Sequence, residues 1–413
     1  MFWFQGGDSS RHASDFNIGL AEYCDDLIAL GGPWMEDLHK IREDFPITKN
    51  KAFLNHAAQS PPPRPAVEAI NKYIDDFSSS GNVSSEWQDC GKSFFAKLIG
   101  SRREELALVE NTSMGLNVAA NALDYPEGSK IVTTDLEYPS VVYPWLRKRL
   151  GARVHYVKNV GGRISLDDVE KAVDDKTVAV AISQVEYANG FRNNLRVLGE
   201  IVHENGAYLI VDAIQSVGTM HLDVRRDDVD FLTAACYKWL LGPSGAGYLY
   251  VKEVLIDKLE PPLVGWASVD QGIFDTANFW DIWHLKLSKT ASRFEVGSPS
   301  LASFVGARET MKLLLHCGIE NVAKRIMKLT GILIEAVKDL GLELQTPEEQ
   351  QYRSGIVNFK VKRPQKVTRE LASKGIIVST RANGIRVSPH FYNTEEEIER
   401  LVKEIEKGKR KNS

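Results

Sequence analysis

Blocks of apolar and mixed positions alternate between about residue 111 and residue 251. Short apolar runs, typical of buried strands, are separated by segments in which apolar residues recur every three or four positions, as in helices. This alternation predicts an α/β fold with a mostly parallel sheet sandwiched by helices. The last apolar run should be an antiparallel partner at the sheet edge. In order, the runs are KIVTTDL, RVHYVK, TVAVAISQV, AYLIVDAI, VDFLTAAC and GYLYV.

From about Val305 onward the pattern changes to longer helical stretches, followed by short strand-like pieces and a final amphipathic helix. This predicts a smaller C-terminal α+β domain. A chain of 413 residues also exceeds what one hydrophobic core usually organises. We therefore predict a poorly ordered extension at 1–35, an arm associated with the small domain at 36–64, a large domain at 65–304 and the small domain at 305–413.

Charge and cysteine usage narrow the class of protein. The 51 basic and 55 acidic residues nearly cancel, leaving a net charge of −4, which argues against a nucleic-acid-coating role. The four cysteines are far apart and show no metal-site spacing, so we expect no metal and a cytoplasmic protein with reduced thiols. No stretch approaches the roughly 20 apolar residues of a membrane span.

Two residues carry the first chemical signal. Asp212 closes the apolar run YLIVD, and Lys238 follows VDFLTAAC 26 positions later. The ends of neighbouring parallel strands meet at the ligand-binding edge of a sheet. A buried lysine there can form a Schiff base, and a carboxylate can keep a pyridine nitrogen protonated, which is the pair that pyridoxal 5'-phosphate (PLP) requires. Taken singly, the two residues favour a surface lysine and a helix-capping aspartate, but the pair together with its flanking motifs does not.

The segment ENTSMGLNVAANAL predicts a second element of such a site. Thr112 and Ser113 stand where a helical pattern begins, so their hydroxyls and the backbone amides could hold a phosphate. An ordinary helix cap would explain the same residues. A phosphate site gains weight because the Asp212 and Lys238 interpretation requires one.

At this point the chain resembles the class V aminotransferase superfamily of PLP enzymes (fold type I, aspartate aminotransferase-like), in its branch similar to isopenicillin N epimerase and group II cysteine desulfurases. The resemblance extends from about Phe53 to Leu401. It is carried, in family order, by FLNHAAQSP, NTSMGLN, DLEYPSVVYPW, VDAIQSVG, YKWLLGPSGAG, RFEVGSPS and GIRVSPHFYNT.

The resemblance implies roles for individual residues around PLP. Lys238 would carry the cofactor, Asp212 would face the pyridine nitrogen, and Tyr138 would stack on the ring. The family arrangement also implies a homodimer with shared active sites, in which one segment reaches the partner's cofactor phosphate. The remaining implied cofactor ligands are Gln215 at the phenolic oxygen, Thr112, Ser113 and Tyr237 at the phosphate, and Gly297 and Ser298 toward the partner subunit.

For the substrate, Arg386 of GIRVSP matches the family arginine that binds the α-carboxylate, and a guanidinium suits bidentate carboxylate binding. The alternative is a surface arginine beside a strand. Arg381, His56 and Tyr187 are further candidates for substrate contact. The aromatic-rich segment at 265–283 is expected to shape the side-chain pocket.

The reaction is less narrowly defined. The segment from Val378 to Arg386 contains no cysteine, whereas desulfurases of this type use a mobile thiol there, and Cys236 is not a convincing substitute. Transamination of a small amino acid with a keto acid acceptor ranks first because it needs no further residue. A carbon–sulfur or other β-lyase comes next and an amino-acid epimerase after it. A non-catalytic PLP-fold scaffold is a remote alternative.

Overall fold

The computed structural model describes residues 34–82, 85–270 and 283–412. Its main sheet has seven strands. Six of them coincide with runs of residues that are almost entirely buried, whereas the strand Arg153–Val157 at one edge is mostly exposed. One strand before it in the chain and four after it belong to other sheets. The strands up to residue 251 are β1 (Ala52–Phe53), β2 (Leu106–Val109), β3 (Lys130–Thr134), β4 (Arg153–Val157), β5 (Thr177–Ser183), β6 (Tyr208–Asp212), β7 (Phe231–Ala235) and β8 (Gly247–Val251).

The sheet order is β2-β8-β7-β6-β5-β3-β4, and the strands from β3 to β7 pair in parallel. The expected mostly parallel sheet is therefore confirmed. The expectation for β8 was half right. It pairs antiparallel with β7, but it is not the edge strand, because β2 lies outside it and pairs with it antiparallel. The β2 segment lies before the region in which the alternation was recognised.

Helices cover the sheet, and their ends follow local sequence signals. The Ser165 side chain accepts from the Asp168 amide and caps one helix, while Asn194 caps another by accepting from Val197. The helices in chain order are α1 (Trp34–Glu43), α2 (Arg64–Ser80), α3 (Lys92–Ile99), α4 (Thr112–Ala122), α5 (Pro139–Val142), α6 (Leu166–Ala172), α7 (Leu195–Glu204), α8 (Glu253–Ile256), α9 (Leu301–Cys317), α10 (Ile319–Asp339), α11 (Pro364–Ser373) and α12 (Glu395–Asn412).

The C-terminal part forms its own small sheets. A three-stranded antiparallel sheet has the order β11-β12-β9, and a parallel pair joins β1 to β10, so the start of the described chain is held to its C-terminal part. The predicted boundaries at 35, 64 and 304 stay predictions, and the extension lies outside the described residues apart from its last two. These strands are β9 (Val357–Lys360), β10 (Ile376–Ile377), β11 (Ser379–Arg381) and β12 (Gly384–Val387).

The small-domain core forms a hydrophobic cluster of its own. Ile385, Val387 and Phe359 alternate inward from the β11-β12-β9 sheet and pack with Leu329 and Leu333 of α10. The opposite face of this sheet therefore remains for polar residues. Within the described part of the chain, no helix is long and apolar enough to cross a membrane.

Candidate active site

Neighbouring strands bring Asp212 and Lys238 to one edge of the main sheet. β6 ends at Asp212, and β7 pairs with β6 in parallel and ends three residues before Lys238. Burial raises the pKa of Asp212 to about 6 and lowers the pKa of Lys238 to about 8, while the attraction between their charges opposes both shifts. The two groups are thus buried within electrostatic reach of each other.

Aromatic rings surround the lysine. The Lys238 ammonium lies 5.7 Å from the centre of the Tyr138 ring and 5.8 Å from that of Tyr237. Tyr138 is 45% exposed, and it meets Tyr187 edge to face at 5.1 Å between ring centres. An exposed ring beside a buried lysine offers a surface on which a flat aromatic ligand can stack.

The side-chain amide of Gln215 has its orientation fixed by two neighbours. Its Oε1 accepts from the Trp239 indole at 2.8 Å, and its Nε2 donates to the Ala57 carbonyl at 3.0 Å. The second Nε2 hydrogen has no acceptor in these contacts, so Gln215 retains a donor for a ligand oxygen. Gln215 is 3% exposed and lies three residues beyond Asp212.

Thr112 and Ser113 occupy the first turn of α4, as expected. The Asn111 side chain caps this helix by accepting a hydrogen bond from the Met114 amide at 2.9 Å, so Thr112 is not the capping residue. Instead the Thr112 hydroxyl accepts from the amide of Ala235, at the end of β7, at 3.0 Å. Ser113 is exposed and lies 2.7 Å from the Ser140 hydroxyl, at the start of α5. The helix start therefore lies beside the strand that leads to Lys238.

Arg386 on β12 is buried, and one nitrogen of its guanidinium has no hydrogen-bond acceptor among the described residues. Its side chain donates from Nε to the Ser379 hydroxyl at 3.2 Å and from Nη1 to the Tyr187 carbonyl at 2.8 Å. Nη2 has no partner within the described chain, although Arg386 is only 1% exposed. Burial lowers the pKa of this guanidinium to about 9, with Arg381 contributing. A buried cation with an unpaired donor is costly unless an anion binds there.

The segment between Val378 and Arg386 is a tight β-hairpin. Ser379 pairs with Arg386 and Arg381 with Gly384, so only two residues connect the strands. These residues, Ala382 and Asn383, have φ angles of 46° and 58°, as a type I′ turn requires. A Cβ on Gly384 would lie 2.2 Å from the Asn358 side-chain oxygen, which explains the glycine.

Arg381 belongs to the same face of the hairpin as Arg386. Side chains two positions apart on one strand lie on the same face of the sheet. A residue also lies on the same face as the residue directly opposite it on the paired strand. Arg381 is half-buried, and its Nη1 donates to the Thr380 carbonyl at 2.7 Å. Its charge lowers the pKa of both Arg386 and Lys238. The hairpin thus directs two cations toward the lysine.

His56 has a different environment from the expected substrate contact. It is fully buried, with Nδ1 2.8 Å from the Ser388 carbonyl and Nε2 2.7 Å from the Tyr392 hydroxyl. The carbonyl can only accept, so Nδ1 carries the proton and Nε2 accepts from the tyrosine. Burial and the nearby His390 lower the pKa of His56, which keeps it neutral. Because both ring nitrogens are engaged, we leave His56 out of the proposed substrate site.

Gly297 and Ser298 make no hydrogen bond to Lys238 within the described residues. Gly297 is half-buried beside the Trp266 indole, and Ser298 is exposed. Their assignment to a partner's cofactor stays a prediction. The segment expected to shape the side-chain pocket lies partly outside the described residues, which omit 271–282.

Two further acids at the sheet edge were not singled out from the sequence. Glu137 follows β3 and accepts from the Ser183 amide and the Ser183 hydroxyl, both at 2.6 Å. Glu186 follows β5 and accepts from the Asn193 side chain at 3.2 Å. Since β3, β5 and β6 are neighbours, three strand ends each bring a carboxyl group to this edge, counting Asp212. An acid directly after an apolar run was the available signal, and it was used only for Asp212.

The half-buried Glu137 and the fully buried Glu186 form a carboxyl pair. Desolvation is the main cause that raises the pKa of both acids. The charge of Asp212 raises both pKa values further, and Glu137 also raises the pKa of Glu186. Glu186 Oε2 has no donor within the described chain. One proton held between the two acids would supply that donor and remove one of two adjacent negative charges.

Comparison with known proteins places this geometry in a family. The family model for aminotransferase class-V matches residues 52–401. The chain belongs to this family. A Bacillus subtilis (strain 168) protein described as an uncharacterized aminotransferase, YcbU, is 30% identical over 90% of this chain and 98% of its own length. A probable cysteine desulfurase of Pyrococcus abyssi is 29% identical over 89% and 96%.

A solved structure agrees with these relatives. The apo structure of a cysteine desulfurase from Thermococcus onnurineus NA1 superposes with a TM-score of 0.82, at 28% identity, over 89% of this chain and 97% of that one. The fold is thus the aspartate aminotransferase-like fold of PLP-dependent enzymes. The protein is a PLP-dependent class V aminotransferase-like enzyme.

The site residues suit the PLP cofactor. A phosphate would meet the start of α4, the ring would lie by Tyr138, and an acid of raised pKa would face the pyridine nitrogen. The unused Gln215 hydrogen offers a donor to the phenolic oxygen. These expectations for single residues remain proposals, but no side chain described here conflicts with them.

Proposed function

We propose that this class V aminotransferase-like protein transfers the amino group of a small amino acid to a keto acid, with Lys238 as the residue that carries PLP and moves the α-proton. When bound, PLP supplies an electron-accepting ring that stabilises negative charge at the α-carbon of the substrate. The chain's own residues bind the substrate, orient it and transfer protons.

The observation that carries this proposal is the unpaired Nη2 of Arg386. A buried guanidinium that already donates to Ser379 and Tyr187 has one direction left for an anion. An amino acid bound there through its carboxylate would have its α-carbon directed toward Lys238, because Arg386 lies close enough for its charge to lower the pKa of Lys238. The same geometry would bind the carboxylate of a keto acid acceptor.

Lys238 suits proton transfer because burial lowers its pKa to about 8. A lysine with this pKa is partly neutral near pH 8, so its free amine can accept a proton and return it to another atom. The Asp212 carboxylate limits the downward shift, since it favours the charged amine. Transamination therefore requires two roles from the protein: binding of the substrate carboxylate, and one lysine that takes up the α-proton and returns it to another atom.

The tight hairpin supports transamination over thiol-dependent sulfur removal. The desulfurase relatives share the fold, but here the corresponding segment is a two-residue turn without cysteine. Cys236 is fully buried and burial raises the pKa of its thiol, so it cannot serve as a thiolate nucleophile. β-Elimination without a thiol and epimerisation remain the alternatives that the experiment separates.

The test supplies an amino acid to the PLP-loaded enzyme with and without a keto acid. Transamination predicts multiple turnovers only when the acceptor is present, with the new amino acid formed in equal amount. Release of pyruvate and ammonia without acceptor would instead indicate a β-lyase. Loss of optical activity without any keto acid would indicate an epimerase, and no turnover with any amino acid would support a scaffold.

Two further expectations belong to this proposal. A homodimer would bring Gly297 and Ser298 to the partner's cofactor phosphate, and exposed apolar side chains nearby, Trp266 and Val296 among them, would then be covered.

A cytoplasmic location is supported by the thiols of Cys90, Cys236 and Cys317, which are buried and form no disulfide among the described residues.

A further inference from the structure

The hairpin face that carries Arg386 bears a second cation without an acidic partner. Among the described residues, no carboxylate lies within ion-pair distance of Arg381 or Arg386, whereas three of the seven other arginines between residues 305 and 413, namely Arg308, Arg325 and Arg410, do meet an acid. Placing two guanidiniums side by side costs free energy, because like charges repel. Such an arrangement persists where an anionic ligand offsets the repulsion.

The positions of the two arginines are fixed by the strand register. Arg386 lies directly opposite Ser379, and Arg381 is two residues beyond Ser379 on the same strand. A diagonal pair of this kind has Cβ atoms about 7 Å apart. The two guanidiniums can therefore hold two separate anionic groups of one small molecule.

The backbone that carries Arg381 is anchored as well. The Asn358 side chain donates to the Arg381 carbonyl at 3.1 Å and to the Ala188 carbonyl at 2.7 Å. The Gln345 side chain donates to the Ala382 carbonyl at 3.1 Å. Arg381 itself donates from Nη1 to the Thr380 carbonyl, and its Nε and Nη2 form no hydrogen bond with the described residues. The cation is thus held at a fixed place with donors to spare.

We propose that Arg381 determines substrate class by binding the second acidic group of a dicarboxylate, so that the amino donor or the keto acceptor is a four- or five-carbon dicarboxylic acid. This inference rests on the proposed function, in which Arg386 binds the α-carboxylate. The half-buried position of Arg381 suits the distal end of the substrate, and the buried position of Arg386 suits the end nearest Lys238.

Unreactive acids test the proposal without relying on turnover. We would titrate the PLP-loaded enzyme with glutarate, succinate and the monocarboxylate butyrate, and measure affinity by calorimetry. In the wild-type protein the better dicarboxylate should bind at least about tenfold more tightly than butyrate, as expected for one additional charged hydrogen bond. Equal affinities would overturn the proposal, whatever any variant does.

A pair of variants locates the effect. Arg381→Gln should weaken dicarboxylate binding about 10- to 100-fold and leave butyrate within about twofold. Arg369→Gln, which removes an exposed arginine of the same domain, should change neither. If Arg381→Gln weakens both acids equally, Arg381 assists the α-carboxylate instead and the proposal is wrong. It is also wrong if neither affinity changes.

The outcome is separable from that of the proposed function. Neither glutarate nor butyrate has an amino group, so their affinities do not depend on whether the enzyme transaminates. Selective dicarboxylate binding together with acceptor-independent turnover would retain the substrate class and reject aminotransfer. Acceptor-dependent turnover without a preference for dicarboxylates would retain aminotransfer and reject the proposed substrate class.

Discussion

The two sides of the candidate site carry opposite charges and obtain them in different ways. On the main sheet, the buried Asp212 and Glu186, the half-buried Glu137 and Lys238 lie at or just after the ends of parallel strands. On the small sheet, Arg381 and Arg386 project from one face of a two-residue hairpin. Glu137 and Glu186 accept hydrogen bonds and have raised pKa values, whereas no acid in the described part of the chain lies within ion-pair distance of Arg381 or Arg386. The main sheet is therefore suited to hold a cofactor and the hairpin to select a substrate.

The largest effect should come from the main-sheet side. Lys238→Ala removes the amine that would carry PLP and transfer the proton, so we expect turnover to fall by at least about four orders of magnitude. Borohydride reduction of the wild-type enzyme should fix the cofactor covalently to the protein, as mass spectrometry would detect. A variant that still retains a covalent cofactor after reduction would remove Lys238 from this role.

The hairpin side should affect substrate binding more than cofactor binding. Arg386→Gln removes the buried cation at the proposed carboxylate site, and we expect kcat/KM to fall about 100- to 1000-fold. Arg386→Lys keeps a charge but loses the planar fork, so it should recover only part of this loss. The cofactor absorbance of both variants serves as the control. Loss of PLP binding in parallel would show that the two sides are not separate in function.

The carboxyl pair predicts a pH dependence of stability. A carboxyl whose pKa is higher in the folded than in the unfolded protein binds more protons when folded, so the free energy of unfolding falls as pH rises from about 4.5 toward about 8. Glu186→Gln removes one acid of the pair and should weaken this fall. At pH 8 we expect the cofactor-free variant to be more stable than wild type by on the order of 1–2 kcal/mol.

Denaturant melts of the cofactor-free protein across this pH range would check the prediction. Glu204→Gln, at an exposed position on α7, is the matched control and should leave the slope unchanged. Identical slopes for Glu186→Gln and wild type would mean that the pair does not share a proton.

The smallest effect concerns the turn itself. Ala382 has a positive φ angle of 46°, which asparagine tolerates better than alanine. Ala382→Asn should therefore raise the free energy of unfolding by a few tenths of a kcal/mol to about 1 kcal/mol. Thermal melts would detect the change. A lower melting temperature would show that the turn is not held in the conformation described here.

The main-sheet side was largely readable from the sequence, and the hairpin side only in part. Asp212 and Lys238 follow apolar runs, and parallel strands bring such ends together whatever the rest of the chain does. The same reasoning would have found Glu137 and Glu186, had every acid after a strand been considered. Which strand lies at the edge was not readable, because β2 pairs with β8 across about 140 residues.

Long-range contacts explain the remaining differences. The ring of His56 donates to the Ser388 carbonyl and accepts from the Tyr392 hydroxyl, both more than 330 residues away, so its burial has no local signal. The partnerless nitrogen of Arg386 likewise depends on where Tyr187 and Ser379 lie. The arginine could be assigned a role by resemblance, but its unmet hydrogen-bonding capacity appears only in three dimensions.

The two-residue connection between β11 and β12 has an evolutionary consequence. Two residues are the shortest common connection between the strands of a β-hairpin. The length of this turn can therefore change only by insertion of residues. Added residues would extend outward from a framework that already holds both arginines in place. A longer turn could thus bring new side chains to this part of the molecule, while the alternation of the flanking strands keeps Ile385 inside and Arg381 and Arg386 on the opposite face.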